Sequence, residues 1–178
     1  MSIESAPSRT VSHRLCVIVP VFNESAVLSL LMPRLDAALA TIAADVRVLF
    51  VDDGSTDATP QELARIANND ARVGVLRLAR NFGKEAAMTA GLDHADADAV
   101  VIIDADLQDP PEVIREFWSQ FELGADVAYG VRISRAGESW LKRITAATFY
   151  RLIDRMSDTP IPRDTGDFRL LSRRAVDA

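Results

Sequence analysis

Along the chain, two kinds of segment alternate. Residues 15–21 (LCVIVPV) form a near-continuous apolar run rich in β-branched side chains, the pattern of a strand buried on both faces. Residues 46–52 (VRVLFVD), 73–79 (VGVLRLA), 98–104 (DAVVIID) and 125–130 (ADVAYG) repeat it. Between them the apolar positions recur at three and four residues. A helix is predicted over 25–42, carrying Leu28, Leu31, Leu35 and Leu39, with Asn23 standing where its cap is expected. Thr59-Pro60 opens a second helix with Leu63, Ile66 and Ala67. The Ala-rich stretch 83–95 is a third, and 111–123 a fourth that begins with proline in the first turn, where it is tolerated. This alternation with short joins predicts an α/β fold, a mostly parallel sheet flanked by helices.

Beyond Gly130 the pattern changes. Arg132, Arg135, Gly137 and Glu138 read as a polar loop. Residues 140–156 read as an amphipathic helix, with Leu141, Ile144, Phe149, Leu152 and Met156 on one face and Arg143, Arg151 and Arg155 opposite. Pro160 and Pro162 end it. Residues 166–171 (GDFRLL) return as a strand, and Ser172 is placed to cap a further helix. The sequence stops six residues later, so it reads as one cut before its natural end.

Composition narrows the function classes. A length of 178 residues suggests one domain or part of a larger protein. The single cysteine, Cys16, excludes a disulfide framework and reads as a small core residue; two histidines make a His-based metal site a poor expectation. No apolar run approaches the roughly 18–20 residues that span a bilayer, and residues 1–14, a polar tail, lack a signal-peptide core. The chain reads as soluble. Charge is segregated: residues 1–128 hold 10 Lys and Arg against 20 Asp and Glu, a balance of −10, whereas residues 129–178 hold 10 against 6, a balance of +4. The acidic body disfavours nucleic acid and would repel phosphates without an intervening cation.

In parallel sheets ligands sit beyond the carboxyl ends of the strands, and the carboxylates fall there. Asp104-Ala105-Asp106 ends the fourth strand. Two carboxylates at that spacing can share a hard dication such as Mg²⁺, with Gln108 adding an amide oxygen; the alternative is a solvated acidic turn. Asp52-Asp53-Gly54-Ser55-Thr56-Asp57 ends the second. Asp53-Gly54 suits a turn and Asp57 a cap, while Asp52 could accept from ribose hydroxyls or a base N–H. Arg80-Asn81-Phe82-Gly83-Lys84 opens the third helix, where backbone N–H groups and Lys84 can hold an anion, although a lone lysine is also often merely solvated. The absence of GxGxxG and GxxxxGK[ST] disfavours a dinucleotide-dependent dehydrogenase and a P-loop NTPase.

PVFNE (20–24), DDGSTDAT (52–59), NFGKEAAM (81–88) and DADLQDPPE (104–112) together resemble family 2 glycosyltransferases with the GT-A fold. With Gly130-Val131-Arg132, SWLKRITAATFYRL (139–152) and GDFRLLSR (166–173), the chain is more narrowly similar to polyprenyl-phosphate glycosyltransferases. That resemblance implies a nucleotide-sugar-binding core over 15–135 and an acceptor- and membrane-proximal part over 136–178. It implies that Pro20, Phe22 and Glu24 line the nucleotide base, with Asp52 nearby and Lys84 beyond. Asp104 would lie by the ribose, diphosphate and metal, and Asp106 and Gln108 would ligate Mg²⁺ or Mn²⁺. Arg132 would contact a donor or acceptor phosphate, and Asp167 would be the catalytic base. Arg169 either joins this chemistry or pairs with a nearby carboxylate.

The implied reaction is inverting transfer of a hexose from a nucleotide sugar to polyprenyl phosphate at the cytoplasmic face of a membrane. Arg132, Arg135, Lys142 and Arg143 are placed in sequence to meet the acceptor phosphate. The 140–156 helix either packs on the domain or lies on an anionic membrane surface. The resemblance leaves self-association into a homo-oligomer open. Rival readings are a GT-A enzyme with a saccharide hydroxyl acceptor and a non-catalytic nucleotide-sugar or lipid-binding domain. A phosphatase built on a DxD nucleophile would place the pair after an early strand and add downstream lysine and acidic motifs, which this sequence does not have.

Overall fold

Six strands form one sheet in the order β3-β2-β1-β4-β6-β5. The computed structural model describes residues 13–131 and 165–178. The expected 140–156 helix, and with it Arg132, Arg135, Lys142 and Arg143, lies outside the described residues. β1 (Arg14–Val21), β2 (Asp45–Asp52), β3 (Val73–Arg77) and β4 (Ala99–Ile102) pair in parallel. β6 (Thr165–Ser172) runs antiparallel to both β4 and β5 (Val127–Val131), so the sheet is mixed, with one strand against the rest.

The apolar runs are buried on both faces because alternate residues serve two different layers. Val17, Val19, Val48, Phe50, Val101 and Leu170 share a core with Leu28, Leu31 and Leu35 of α1 (Ser25–Leu39), Leu63 of α2 (Thr59–Asn69) and Phe117 of α4 (Ile114–Glu122). Cys16, Ile18, Val51, Val100 and Ile102 face the other way, onto Ala87 and Met88 of α3 (Lys84–His94). Gly91 lets α3 lie close: a Cβ there would stand 2.6 Å from Ile18 Cγ2. Cys16 is the small core residue the sequence suggests, and burial pushes its thiol up to about 11.

Several boundaries differ from the pattern reading. α1 carries Pro33 in its interior and ends at Leu39 rather than 42, where the chain turns through Thr41, whose hydroxyl donates to the Ala38 carbonyl. The 111–123 segment begins as a single 3₁₀ turn (Pro111–Val113) before α4. Asn23 is not a helix cap. It has φ +55°, and its side-chain oxygen accepts from the Thr56 and Asp57 amides, clasping the loop after β2 to the loop after β1. Ser172 does cap, accepting from the Ala175 amide.

The order reverses at β1. The chain leaves it toward β2 on one side and meets β4 on the other, which makes the β1/β4 junction the switch point of the sheet. The ladder between these strands reaches the Ile103 amide, which donates to the Ile18 carbonyl. A further rung would need an N–H at position 20. Pro20 has none, so β1 and β4 part at this point and a crevice opens between their ends.

Candidate functional site

A cleft of about 300 Å³ occupies that crevice, lined by Pro20, Phe22, Glu24, Asp53, Asn81, Lys84, Asp104 and Asp106 among others. A larger hollow of about 540 Å³ lies at the opposite ends of the strands, beside Arg14, Cys16, Arg47 and His94. The crevice at the switch point is the better candidate, because parallel strands deliver their loop residues there.

The strand period explains which carboxylates meet. Ala99, Val101 and Ile103 face the α1 layer, so Asp104 and Asp106, continuing the opposite phase, are set toward α3. Phe168 and Leu170 of β6 fix the same phase for Asp167. Lys84, the first residue of α3, meets both. Its Nζ lies 2.7 Å from Asp104 Oδ1, 2.8 Å from Asp104 Oδ2 and 2.7 Å from Asp167 Oδ2. Burial works against the lysine's charge, but the two carboxylates outweigh it and raise its pKa. The Arg169 guanidinium lies 3.5 Å from Asp167 Oδ1, so it pairs with a nearby carboxylate.

Asp106 is exposed, and among the described residues its side chain accepts only from the Gln108 amide, at 3.0 Å, across a turn that holds Leu107 at φ +61°. No cation lies on it among the described residues. The Gln108 side chain is not among the groups lining the cleft. Negative charge is therefore in excess on this rim. Burial raises the Glu24 carboxyl above its ordinary value, and the charges of Asp106, Asp57 and Asp104 add to the rise.

The two aspartates that end β2 separate by one step of the pleat. Asp52 follows the phase of Val48 and Phe50 and is wholly buried. Its Oδ1 accepts from the Ser55 amide, while its Oδ2 has no hydrogen bond among the described residues and stands 3.2 Å from Arg77 Nε. Asp53 takes the opposite phase, lines the cleft and accepts from the Phe82 and Gly83 amides at 2.8 and 2.9 Å. It thus fixes the loop that presents Lys84. The alternation through 46–52, carried one residue further, was the signal for Asp53.

Asp57 joins the same network. The Thr59 side chain and amide and the Ser25 amide hydrogen-bond its carboxylate and hold its pKa down to about 2, against an ordinary 3.8. A depressed folded value means the stabilisation is complete above about pH 4 and disappears as pH falls toward 2. Asp57→Asn is expected to flatten the acid limb of the thermal midpoint between those values; a limb identical to the parent's would refute it.

Among the described residues no group of three or more His, Cys, Asp or Glu side chains is gathered as a metal cage. The donor set instead fits a hard dication such as Mg²⁺ or Mn²⁺, which takes one or two carboxylates and completes its shell with water and substrate phosphate. Asp104 and Asp106 offer two carboxylates of that kind on this rim.

A mixed sheet with carboxylates gathered beyond its parallel strands at the switch point is the GT-A arrangement. Solved structures share it. A mannosyltransferase from Pyrobaculum calidifontis in complex with GDP-mannose and Mn²⁺ is 23% identical, with a TM-score of 0.63, over 98% of this chain and 48% of that one. Glucosyl-3-phosphoglycerate synthase from Mycobacterium tuberculosis, in complex with Mn²⁺, UDP-glucose and phosphoglyceric acid, is 20% identical, with a TM-score of 0.63, over 91% of this chain and 57% of that one. At these identities the likeness concerns the fold. Residues 16–178 match Glycosyl transferase family 2, and the chain belongs to that family. It is 41% identical to the bactoprenol glucosyl transferase of Shigella phage SfV over 92% of its length. It is 45% identical to the uncharacterized glycosyltransferase YkcC of Bacillus subtilis over 90% of its length. The chain spans about half the length of these relatives, 53% and 50%.

Proposed function

We propose that the protein transfers a hexose from a nucleotide sugar to a polyprenyl phosphate, with inversion and with the help of a divalent cation. The observation that carries this reading is the pair Asp104 and Asp106 at the β1/β4 crevice, with Asp104 joined to Asp167 through Lys84. Relatives named bactoprenol glucosyl transferase support the acceptor class, and neighbours crystallised with Mn²⁺ and GDP-mannose or UDP-glucose support the donor class and the metal.

Each residue has a role that its chemistry permits. Pro20 and Phe22 offer an apolar wall for a nucleobase, with Glu24 beside them; Asp52 lies beneath, behind the loop it braces. Asp104 and Asp106 would hold the dication, which when bound neutralises the departing diphosphate. A phosphate monoester has a second pKa near 6, so at neutral pH the acceptor arrives largely ionised and needs little deprotonation. Asp167 therefore orients the acceptor oxygen at the anomeric carbon at least as much as it removes a proton. Arg132, Arg135, Lys142 and Arg143 are proposed to meet the acceptor phosphate and an anionic membrane surface at the cytoplasmic face.

The test supplies radiolabelled UDP-glucose and GDP-mannose separately, each with Mn²⁺ and polyprenyl phosphate in detergent. Label is expected to pass into the lipid phase from one donor, to vanish with EDTA, and to persist at a reduced rate in Asp167→Asn. Label passing only to soluble saccharides, and an Asp167→Asn variant with no turnover, would point to a hydroxyl acceptor instead.

A further inference from the structure

Lys84 is oddly employed for a residue that opens a helix. A cation at the first turn opposes the helix dipole, and its side chain is only partly withdrawn from water, at 42% exposure. Two carboxylates, one just beyond the end of β4 and one on β6, compensate it. Both oxygens of Asp104 lie within 2.8 Å of its ammonium, and Asp167 is equally close. Asp106, two residues from Asp104, has no such partner among the described residues. One half of the acidic pair is thus already neutralised by the chain itself, and the other half is not.

We infer that Lys84 is an exchangeable counter-cation: it occupies Asp104 while the site is unloaded and releases it when a dication and a nucleoside diphosphate arrive together. The inference rests on the reading of Asp104 and Asp106 as metal ligands. A dication arriving alone must displace the ammonium from Asp104 and leave it with Asp167 only. A nucleoside diphosphate arriving with the dication gives the displaced ammonium a new anionic partner. Binding of the two ligands is therefore mutually reinforcing, and by reciprocity each improves the other's affinity by the same factor. The lysine also holds the Asp167 carboxylate at 2.7 Å, beside Asp104, which makes it a positioning residue for that carboxylate.

The test measures free Mn²⁺ by its electron paramagnetic resonance signal, with the full chain and no donor sugar, in the presence and absence of UDP and of GDP. In the parent, one nucleotide is expected to tighten Mn²⁺ binding. In Lys84→Met, Mn²⁺ alone is expected to bind about 10-fold more tightly, and the tightening by nucleotide to shrink by about the same factor. Lys84→Arg, which keeps the charge, is expected to stay near the parent. Should Lys84→Met fail to fold, Lys84→Gln is read in the same way. Mn²⁺ binding to Lys84→Met that is unchanged or weaker, while Asp106→Asn abolishes it, would overturn the counter-cation role and leave the metal site standing. If Asp106→Asn leaves Mn²⁺ binding intact, the metal site itself is misassigned.

Discussion

Asp106→Asn is expected to weaken Mn²⁺-dependent nucleotide binding by about 100-fold or more, roughly 2.7 kcal/mol, without disturbing the fold. Asp106 is exposed, and the hydrogen bond it accepts from the Gln108 amide can be kept by the asparagine oxygen. What the substitution removes is a formal charge in a site where Glu24 already feels the crowding of like charges. A dication bound through carboxylates depends on that charge, whereas the apolar wall of Pro20 and Phe22 does not. Calorimetric titration of UDP and GDP with and without Mn²⁺ separates the two contributions. Residual metal-independent affinity should match the parent's, and only the metal-dependent increment should be lost. A variant that retains the increment would remove Asp106 from the ligand set.

The largest effect on stability is expected at Gly54. Its φ is +72°, and a Cβ there would lie 2.5 Å from the Arg80 carbonyl carbon and 2.7 Å from the Asn81 nitrogen. These are backbone atoms, which cannot rotate away. Gly54→Ala is therefore expected to cost about 3 kcal/mol or more, from left-handed strain together with forced separation of two loops. Gly83 is the internal control. It is also left-handed, at φ +98°, yet its Cβ would meet nothing within 4 Å. Gly83→Ala should show strain alone, about 1–3 kcal/mol. Urea midpoints of the two variants decide the order. Gly54→Ala should also lose nucleotide affinity, because the loop it displaces carries Lys84; equal midpoints would show that the two loops yield more easily than their geometry suggests.

Much of this site could be read from the chain. Continuous apolar runs ending in Asp52-Asp53 and Asp104-Ala105-Asp106 located the rim, because a buried strand has few reasons to finish in paired carboxylates. The pleat was less visible. Asp52 and Asp53 are adjacent in sequence and both buried, but one sits beside Arg77 and the other braces the loop before α3. Which is which depends on the strand's phase, set by helices on either face. Asn23 looked like a cap because helix signals are local, whereas its partners, Thr56 and Asp57, lie more than 30 residues away. The Lys84–Asp167 pairing spans still more chain and follows only from the antiparallel placement of β6 beside β4.

The prolyl ring at position 20 has a consequence for mechanics. It works as a stop on a zipper: two central strands that would otherwise close by another tooth are held apart by a missing hydrogen. The mouth of the pocket thus has a floor width written into covalent structure.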